Sequence, residues 1–237
     1  MGRGKKKRIA ERLVRMKKRN AIREKMGKKV FFTLTHCNKK LNGTSNKYNY
    51  KSNMHNLCFV GARFYNVKYQ ASIMTACNFR DAQMIGVDLY NCNMKKSSFK
   101  NSILKNVVFY NCNLDNVDFK GARFLNVTFI CTRIDNAKNL DINVDGITVL
   151  RTYPKLNIDS ATEKVLLDSS DKQSVYDAKV IHVSKGKLNR WNLSIIQLKH
   201  GAEGLKLLGR ILQKKEKWGR LYTVFSYILL IENWGRK

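Results

Sequence analysis

The sequence predicts an all-β solenoid with four-sided coils, flanked by a basic N-terminal arm and an α-helical C-terminal cap region. Two observations predict the solenoid: a large apolar residue recurs at every fifth position, and similar residues recur at every twentieth. A third observation, the loss of the five-residue period after residue 137, marks where helices begin. The 237-residue chain therefore divides into an arm and linker at 1–51, a β-helix at 52–137 and a mainly helical region at 138–237.

The five-residue period defines a common interior. Two residues before each large apolar residue lies a smaller one, and residues two apart on an extended segment point to the same side. Since five is odd, a straight strand would turn the next pair outward, so the chain must bend between blocks. The sixteen predicted repeat centres are Phe59, Phe64, Tyr69, Met74, Phe79, Met84, Leu89, Met94, Phe99, Leu104, Phe109, Leu114, Phe119, Phe124, Phe129 and Ile134.

The twenty-residue period predicts how the blocks stack. Phe59, Phe79, Phe99 and Phe119 form one column of similar residues, and a second column consists of Val67, Val87, Val107 and Val127. Four blocks therefore complete one coil, and sixteen blocks make about four coils, each about 4.8 Å above the last.

Five segments carry a resemblance to a known family. They are Cys77-Asn78-Phe79, Val87-Asp88-Leu89, Cys92-Asn93-Met94, Cys112-Asn113-Leu114 and Val117-Asp118-Phe119, and they resemble the pentapeptide-repeat pattern of small residue, Asp or Asn, then Leu or Phe. The resemblance implies a right-handed quadrilateral β-helix with the large residue at the centre of each side. Asparagine recurs two places after the centre, as at Asn66 and Asn101, where a short amide suits a corner.

The composition predicts a basic protein with no catalytic centre. The formal net charge is +29, and residues 1–30 hold 14 Lys and Arg against two Glu. Six scattered cysteines do not form a disulfide framework or a zinc motif, and Cys92 and Cys112 fit the small inward position of their blocks. We find no nucleophile–base motif and no cofactor loop, so we expect no enzyme activity, no cofactor, no metal and no small-molecule substrate.

The N-terminal arm is the predicted site for an anionic partner. A basic helix is expected from about residue 9 to 26, and the side chains expected to neutralise phosphates are Lys5, Lys6, Lys7, Arg8, Lys17, Lys18 and Arg19. Basic residues of the rod are expected to face outward and to favour an acidic partner; they are Arg63, Lys68, Arg80, Lys95, Lys96, Lys100, Lys105, Lys120, Arg123 and Arg133.

The C-terminal region is predicted to be helical and to cover the end of the rod. A capping box over residues 160–163 predicts one helix, and apolar spacing over 193–198 and 205–212 predicts two more. The apolar segment 221–231 predicts a buried helix or strand. Solenoid ends expose apolar edges, which gives such a region a place to pack.

These features predict a non-enzymatic binding scaffold for an acidic macromolecule: nucleic acid, nucleoprotein or an acidic protein. An alternative is a peripheral protein on an anionic membrane surface, held by the arm. The family resemblance implies a third possibility, protection of DNA gyrase from quinolones, although such members resemble acidic DNA mimics and this rod is basic. A cytoplasmic location is expected, since no secretory signal is apparent, and the sequence makes no prediction of oligomeric state.

Overall fold

The structure is a computed structural model that describes residues 3–26, 32–37, 39–214 and 219–234. The chain separates into two units, residues 1–33 and residues 34–237. The first contains helix α1 (Arg3–Lys25), which extends further toward the N-terminus than the predicted start near residue 9. The second contains the solenoid and the C-terminal helices.

The solenoid consists of parallel strands stacked in a register of twenty residues. Phe64 pairs with Met84, which pairs with Leu104, which pairs with Phe124. One face is a six-stranded sheet in the order β2-β4-β6-β7-β8-β9, and another is a three-stranded sheet in the order β1-β3-β5. The strands are β1 (Thr33–Thr35), β2 (Ser45–Tyr50), β3 (Asn53–His55), β4 (Arg63–Gln70), β5 (Ile73–Thr75), β6 (Gln83–Tyr90), β7 (Ile103–Tyr110), β8 (Arg123–Ile130) and β9 (Ile147–Leu150).

The predicted β-solenoid is confirmed, but the number of coils is larger than predicted. Six strands stack on one face instead of four, because β2 and β9 extend the sheet beyond both ends of the segment 52–137. In β2 the central position is Asn49, so the apolar period cannot reveal this strand. Its backbone nevertheless pairs with β4, from Ser45 opposite Tyr65 to Tyr50 opposite Gln70. Backbone pairing continues where the side-chain pattern has stopped.

The predicted aromatic column lies in the core. Adjacent rings of Phe59, Phe79, Phe99 and Phe119 are stacked, with centroids 4.9–5.3 Å apart and interplanar angles of 3–12°. Fifteen of the sixteen repeat centres are buried, and Phe124 is half-buried. Phe124 lies in the last regular coil, and Val144, twenty residues later, is 40% exposed.

The corners explain why the period is five. From residue 46 to residue 131, every fifth residue has a positive φ, which turns the chain from one side of the coil to the next. Asparagine tolerates this left-handed region better than most residues, and its amide also bonds between coils. The Asn66 Nδ2 donates to Asn46 Oδ1 at 2.9 Å, and the Asn111 Nδ2 donates to Asn91 Oδ1 at 2.8 Å.

The C-terminal region contains the predicted helices and a short hairpin. Its elements are α2 (Ser160–Asp168), α3 (Gln173–Tyr176), β10 (His182–Ser184), β11 (Lys187–Leu188), α4 (Arg190–Lys214) and α5 (Val224–Glu232). Gly201, with φ 66° and ψ −171°, divides α4 into the two predicted helical pieces. The cap of α2 differs by one residue from the prediction, because Asp159 is the N-cap and accepts from the Thr162 amide at 2.7 Å.

The predicted position of the C-terminal helices was wrong: they pack along the side of the rod, not over its end. Tyr90, Val108 and Ile130 come from three successive coils, and all three belong to the apolar core of the helical region. Their side chains point outward from the rod. The helices pack on this side because its outward apolar surface would otherwise be exposed to water.

Candidate anion-binding surfaces

Helix α1 concentrates basic residues. Its 23 residues include twelve Lys or Arg and two Glu, with no acidic residue in the first turn. The predicted binding residues Lys17, Lys18 and Arg19 lie on this helix with exposed side chains. The other predicted residues, Lys5, Lys6, Lys7 and Arg8, belong to the helical backbone, and their side chains lie outside the described residues.

The described side chains of α1 do not separate into a basic and an apolar face. Lys17, Lys18 and Arg19 are consecutive and therefore point in directions about 100° apart. Val14 and Ile22 are 53% and 58% exposed, and their directions lie close to that of Lys18. A helix of this kind presents positive charge on several sides.

The rod presents basic side chains on its uncovered sides. Nine of the ten predicted outward residues are exposed: Arg63, Arg80, Lys95, Lys96, Lys100, Lys105, Lys120, Arg123 and Arg133. Three of these pair with nearby aspartates, Arg80 with Asp81 at 3.2 Å, Lys95 with Asp115 at 3.7 Å and Lys100 with Asp118 at 3.1 Å. Exposed pairs of this kind add little stability, so their main effect is to reduce the positive charge of those faces.

Lys68 is the exception to the predicted outward set, because the C-terminal region covers it. The residue is 1% exposed, and its Nζ donates to the carbonyl oxygens of Ala178 at 2.7 Å and Lys179 at 3.1 Å. The Nζ also lies 4.4 Å from the ring centroid of Tyr90. Burial lowers the pKa of Lys68 to about 8. Lys68 thus joins the helical region to the rod and is not available to a partner.

Asp88 is the neighbour of Lys68 in the next coil and is also fully buried. One carboxylate oxygen accepts from the backbone amide of Val224 at 3.0 Å, at the first residue of α5. A negative charge at a helix N-terminus is favourable. The other oxygen, Oδ1, has no hydrogen-bond partner among the described residues. Burial raises the pKa of Asp88 to about 7.

The buried Asp88 predicts a pH dependence of stability. Its carboxyl has a pKa near 4 when unfolded, so the folded chain binds more protons between pH 4 and 7, and the free energy of unfolding falls as the pH rises. We expect the wild type to lose about 3 kcal/mol more than Asp88→Asn between pH 4.5 and 7. Urea denaturation at both pH values measures this difference. The exposed control Asp135→Asn should follow the wild type, and an equal decline in all three proteins would contradict the prediction.

The His36 and His55 rings lie close together, with centroids 4.9 Å apart, but they are not part of a larger group of metal-ligating side chains among the described residues. Cys92 and Cys112 are buried, and their Sγ atoms lie 3.4 Å from the Tyr69 carbonyl oxygen and 3.2 Å from the Leu89 carbonyl oxygen. In the ranges that the structure describes, no three His, Cys, Asp or Glu side chains come together as a metal site. No described helix is both long enough and apolar enough to span a membrane.

The segment that forms the repeats in the sequence and the coils in the structure matches the model of a known family. The family model for pentapeptide repeats matches residues 58–101 and 102–138, with eight copies. The match to pentapeptide repeats thus covers residues 58–138, about a third of the chain. Solved pentapeptide-repeat proteins are similar to it, and a search of curated proteins found no match.

Three solved structures illustrate the similarity. A trypsin-treated form of QnrB1, a plasmid-mediated fluoroquinolone resistance protein, is 20% identical with a TM-score of 0.41, over 45% of this chain and 55% of that one. HetL from Nostoc sp. strain PCC 7120, involved in heterocyst differentiation regulation, is 10% identical with a TM-score of 0.29, over 43% and 40%. Rfr23 from Cyanothece 51142 is 12% identical with a TM-score of 0.28, over 56% and 94%. This chain thus spans about half the length of that trypsin-treated QnrB1 chain.

Sequence reasoning placed the exposed basic residues but missed the buried pair Lys68 and Asp88. Both follow the small residue of a block, a position that is half-buried or exposed on the other sides of the rod. A signal was present in the columns twenty residues apart, where Tyr90 is followed by Tyr110 and Ile130. Large apolar residues at three successive outward positions indicate a covered side.

Proposed function

We propose that this pentapeptide-repeat protein is a non-catalytic scaffold that binds nucleic acid through the phosphate backbone, with α1 as the principal contact. The observation that carries the proposal is the density of charge on α1, where twelve of 23 residues are Lys or Arg. A helix of this length spans about 35 Å, close to one turn of B-form DNA. Positive charge on several sides of the helix suits contact with phosphates on both strands of a groove.

The charge pattern favours nucleic acid over an anionic membrane. A helix that lies in a membrane surface needs a separate apolar face, whereas Val14 and Ile22 of α1 share their side of the helix with Lys18. The apolar segment 221–231 provides no alternative anchor, because Tyr227, Ile228 and Ile231 of α5 are buried in the core of the helical region. Contacts to phosphates do not read sequence, so binding is expected to be largely independent of base composition.

Salt titration with a random 30-base-pair duplex tests the proposal. We expect the triple variant Lys17→Gln, Lys18→Gln, Arg19→Gln to reduce the slope of log K against log salt by about 3, since each neutralised phosphate contributes about 0.9. Fluorescence anisotropy at several salt concentrations measures the slope. Circular dichroism should show that this triple variant and the control variant described next keep the wild-type fold.

The matched control removes the same charge elsewhere. Lys155, Lys164 and Lys214 are exposed and lie in the C-terminal region, so their replacement by Gln should leave the slope nearly unchanged. Equal losses in the two triple variants would show that net charge, not α1, governs binding. Binding of the wild type to anionic vesicles but not to the duplex would overturn the proposal in favour of a membrane surface.

A further inference from the structure

A cleft lies beside the covered side of the rod, where the hairpin β10–β11 and the start of α4 meet the outward tyrosines. Its volume is about 440 Å³, which falls within the range of small-ligand pockets. The rod contributes Tyr90 and Tyr110, and the helical region contributes Lys187, Arg190 and Trp191. Nothing in the repeat pattern predicts this cleft, because it forms only when the helical region packs against the side of the coils.

The lining of the cleft is positively charged. Lys179, Lys187 and Arg190 contribute to it, together with the buried Lys68, whose Nζ is already bonded to two backbone carbonyls. None of the described residues that line the cleft is Asp or Glu. Lys187 is exposed and has no ion pair among the described residues, whereas Arg190 Nη2 pairs with Glu163 at 3.0 Å. A lining of this charge favours an anion, and Lys and Arg are the side chains that bind phosphate.

An aromatic wall faces the same space. Tyr153 is 55% exposed, and its ring meets that of Trp191 edge to face, with centroids 5.6 Å apart and an interplanar angle of 88°. The Trp191 ring in turn lies edge to face against the Tyr110 ring, with centroids 6.4 Å apart. An exposed ring that packs edge to face against a second ring is a platform on which a planar base can stack.

His182 leaves an unpaired polar atom in the lining. The residue is fully buried, its Nε2 lies 3.0 Å from Ser169 Oγ, and its Nδ1 has no hydrogen-bond partner among the described residues. Burial lowers the pKa of His182 to about 4, so the ring is neutral at pH 7. An unpaired buried polar atom is costly, so the described side chains leave this part of the lining incompletely satisfied.

We propose that this cleft binds a nucleoside phosphate, with the phosphate held by Lys187 and Arg190 and the base stacked on Tyr153. The site is independent of α1 and of the nucleic-acid contact proposed for it. The same chemistry is found in a free nucleotide and in the terminal nucleotide of a strand, and the experiment must separate these two sources.

Isothermal titration calorimetry of the full chain tests the site with four probes: AMP, ADP, inorganic phosphate and a 5′-phosphorylated hexanucleotide. We expect AMP or ADP to bind more tightly than inorganic phosphate. Lys187→Gln and Tyr153→Ala should each weaken the binding about tenfold, the size expected for loss of a charged hydrogen bond or of one stacked base. Both residues are exposed, so the fold should survive, and circular dichroism checks this.

Lys185→Gln is the matched control, because Lys185 is exposed in the same turn and does not line the cleft. It should change the affinity less than twofold. The comparison of strand and free nucleotide uses the Lys17→Gln, Lys18→Gln, Arg19→Gln variant, because α1 is itself proposed to bind strands. In that variant, a hexanucleotide that binds tighter than AMP would assign the site to a strand end, and the reverse order would assign it to free nucleotides. No heat from any probe at millimolar concentration, equal binding of AMP and inorganic phosphate, or equal effects of Lys185→Gln and Lys187→Gln would overturn the proposal.

Two of the variants test the α1 proposal and the cleft proposal independently of each other. Lys187→Gln should bind the 30-base-pair duplex as the wild type does, and the triple variant of α1 should bind AMP as the wild type does. Loss of duplex binding in the α1 variant with AMP binding retained supports two independent sites. Loss of AMP binding in the α1 variant would overturn the cleft as an independent site.

Discussion

Replacement of Phe99 by alanine is expected to lower the free energy of unfolding by about 3–5 kcal/mol, the cost of a large buried cavity. Phe99 is fully buried at the middle of the ladder, stacked on Phe79 at 4.9 Å and on Phe119 at 5.3 Å. Coils above and below restrain the backbone, so the cavity cannot collapse easily. Urea denaturation monitored by circular dichroism measures the loss.

Phe124→Ala provides the matched control for Phe99→Ala. Phe124 also occupies a repeat centre, but it is only half-buried in the last regular coil. We expect its replacement to cost less than half as much, because less apolar area is lost from the core. Similar losses of unfolding free energy at the two positions would show that burial of the repeat centre does not determine the cost of its replacement.

Gly86→Ala is expected to destabilise the contact between the rod and α5, at a cost of about 2–4 kcal/mol. Gly86 is a corner residue with φ 61°, and a Cβ built there would lie 2.2 Å from Cδ1 of Phe225. The substitution therefore combines a left-handed alanine with an overlap against the helical region. Urea denaturation measures the loss, and limited proteolysis reports whether α5 is released.

Gly61→Ala separates these two effects. Gly61 is also a corner with φ 66°, but an added Cβ would lie 3.6 Å from the nearest atom, Lys40 Nζ. Its replacement should cost only about 1 kcal/mol for the left-handed backbone. The native chain already holds Ala71 and Ala76 at φ 51° and 53°, so alanine is tolerated at corners. Equal costs at the two glycines would contradict the proposed overlap with Phe225.

The interior of the rod was predictable because its geometry depends on short-range spacing. Five residues fix one side and one corner, and the column of Phe59, Phe79, Phe99 and Phe119 follows from repetition alone. The outer strands were not predictable in this way. Backbone hydrogen bonds hold β2, and these bonds leave no trace in side-chain periodicity. In β9, Ile147 and Val149 stack on Val127 and Phe129, but the five-residue period is already broken at Asn139.

The candidate sites also differ in whether short-range sequence patterns reveal them. The charge of α1 is visible in the sequence, because a run of Lys and Arg needs no partner to be recognised. The contacts that bury Lys68 and Asp88 join residues more than 100 positions apart, as in the bond from Lys68 Nζ to the Ala178 carbonyl. The cleft next to them depends on the same long-range packing. The side of the rod on which the helical region packs depends on the surface of the folded coils, and local sequence patterns do not encode that surface.

The regular corners, where every fifth residue has a positive φ, constrain how this protein can change in length during evolution. Loss or gain of a single block between Asp88 and the end of the rod would rotate all later sides by a quarter turn and carry the Val224 amide away from Asp88. Only insertions or deletions of twenty residues preserve the angular position of every side. Even these must fall outside the coils that carry Tyr90, Val108 and Ile130, so length variation is confined to the two extremities of the rod.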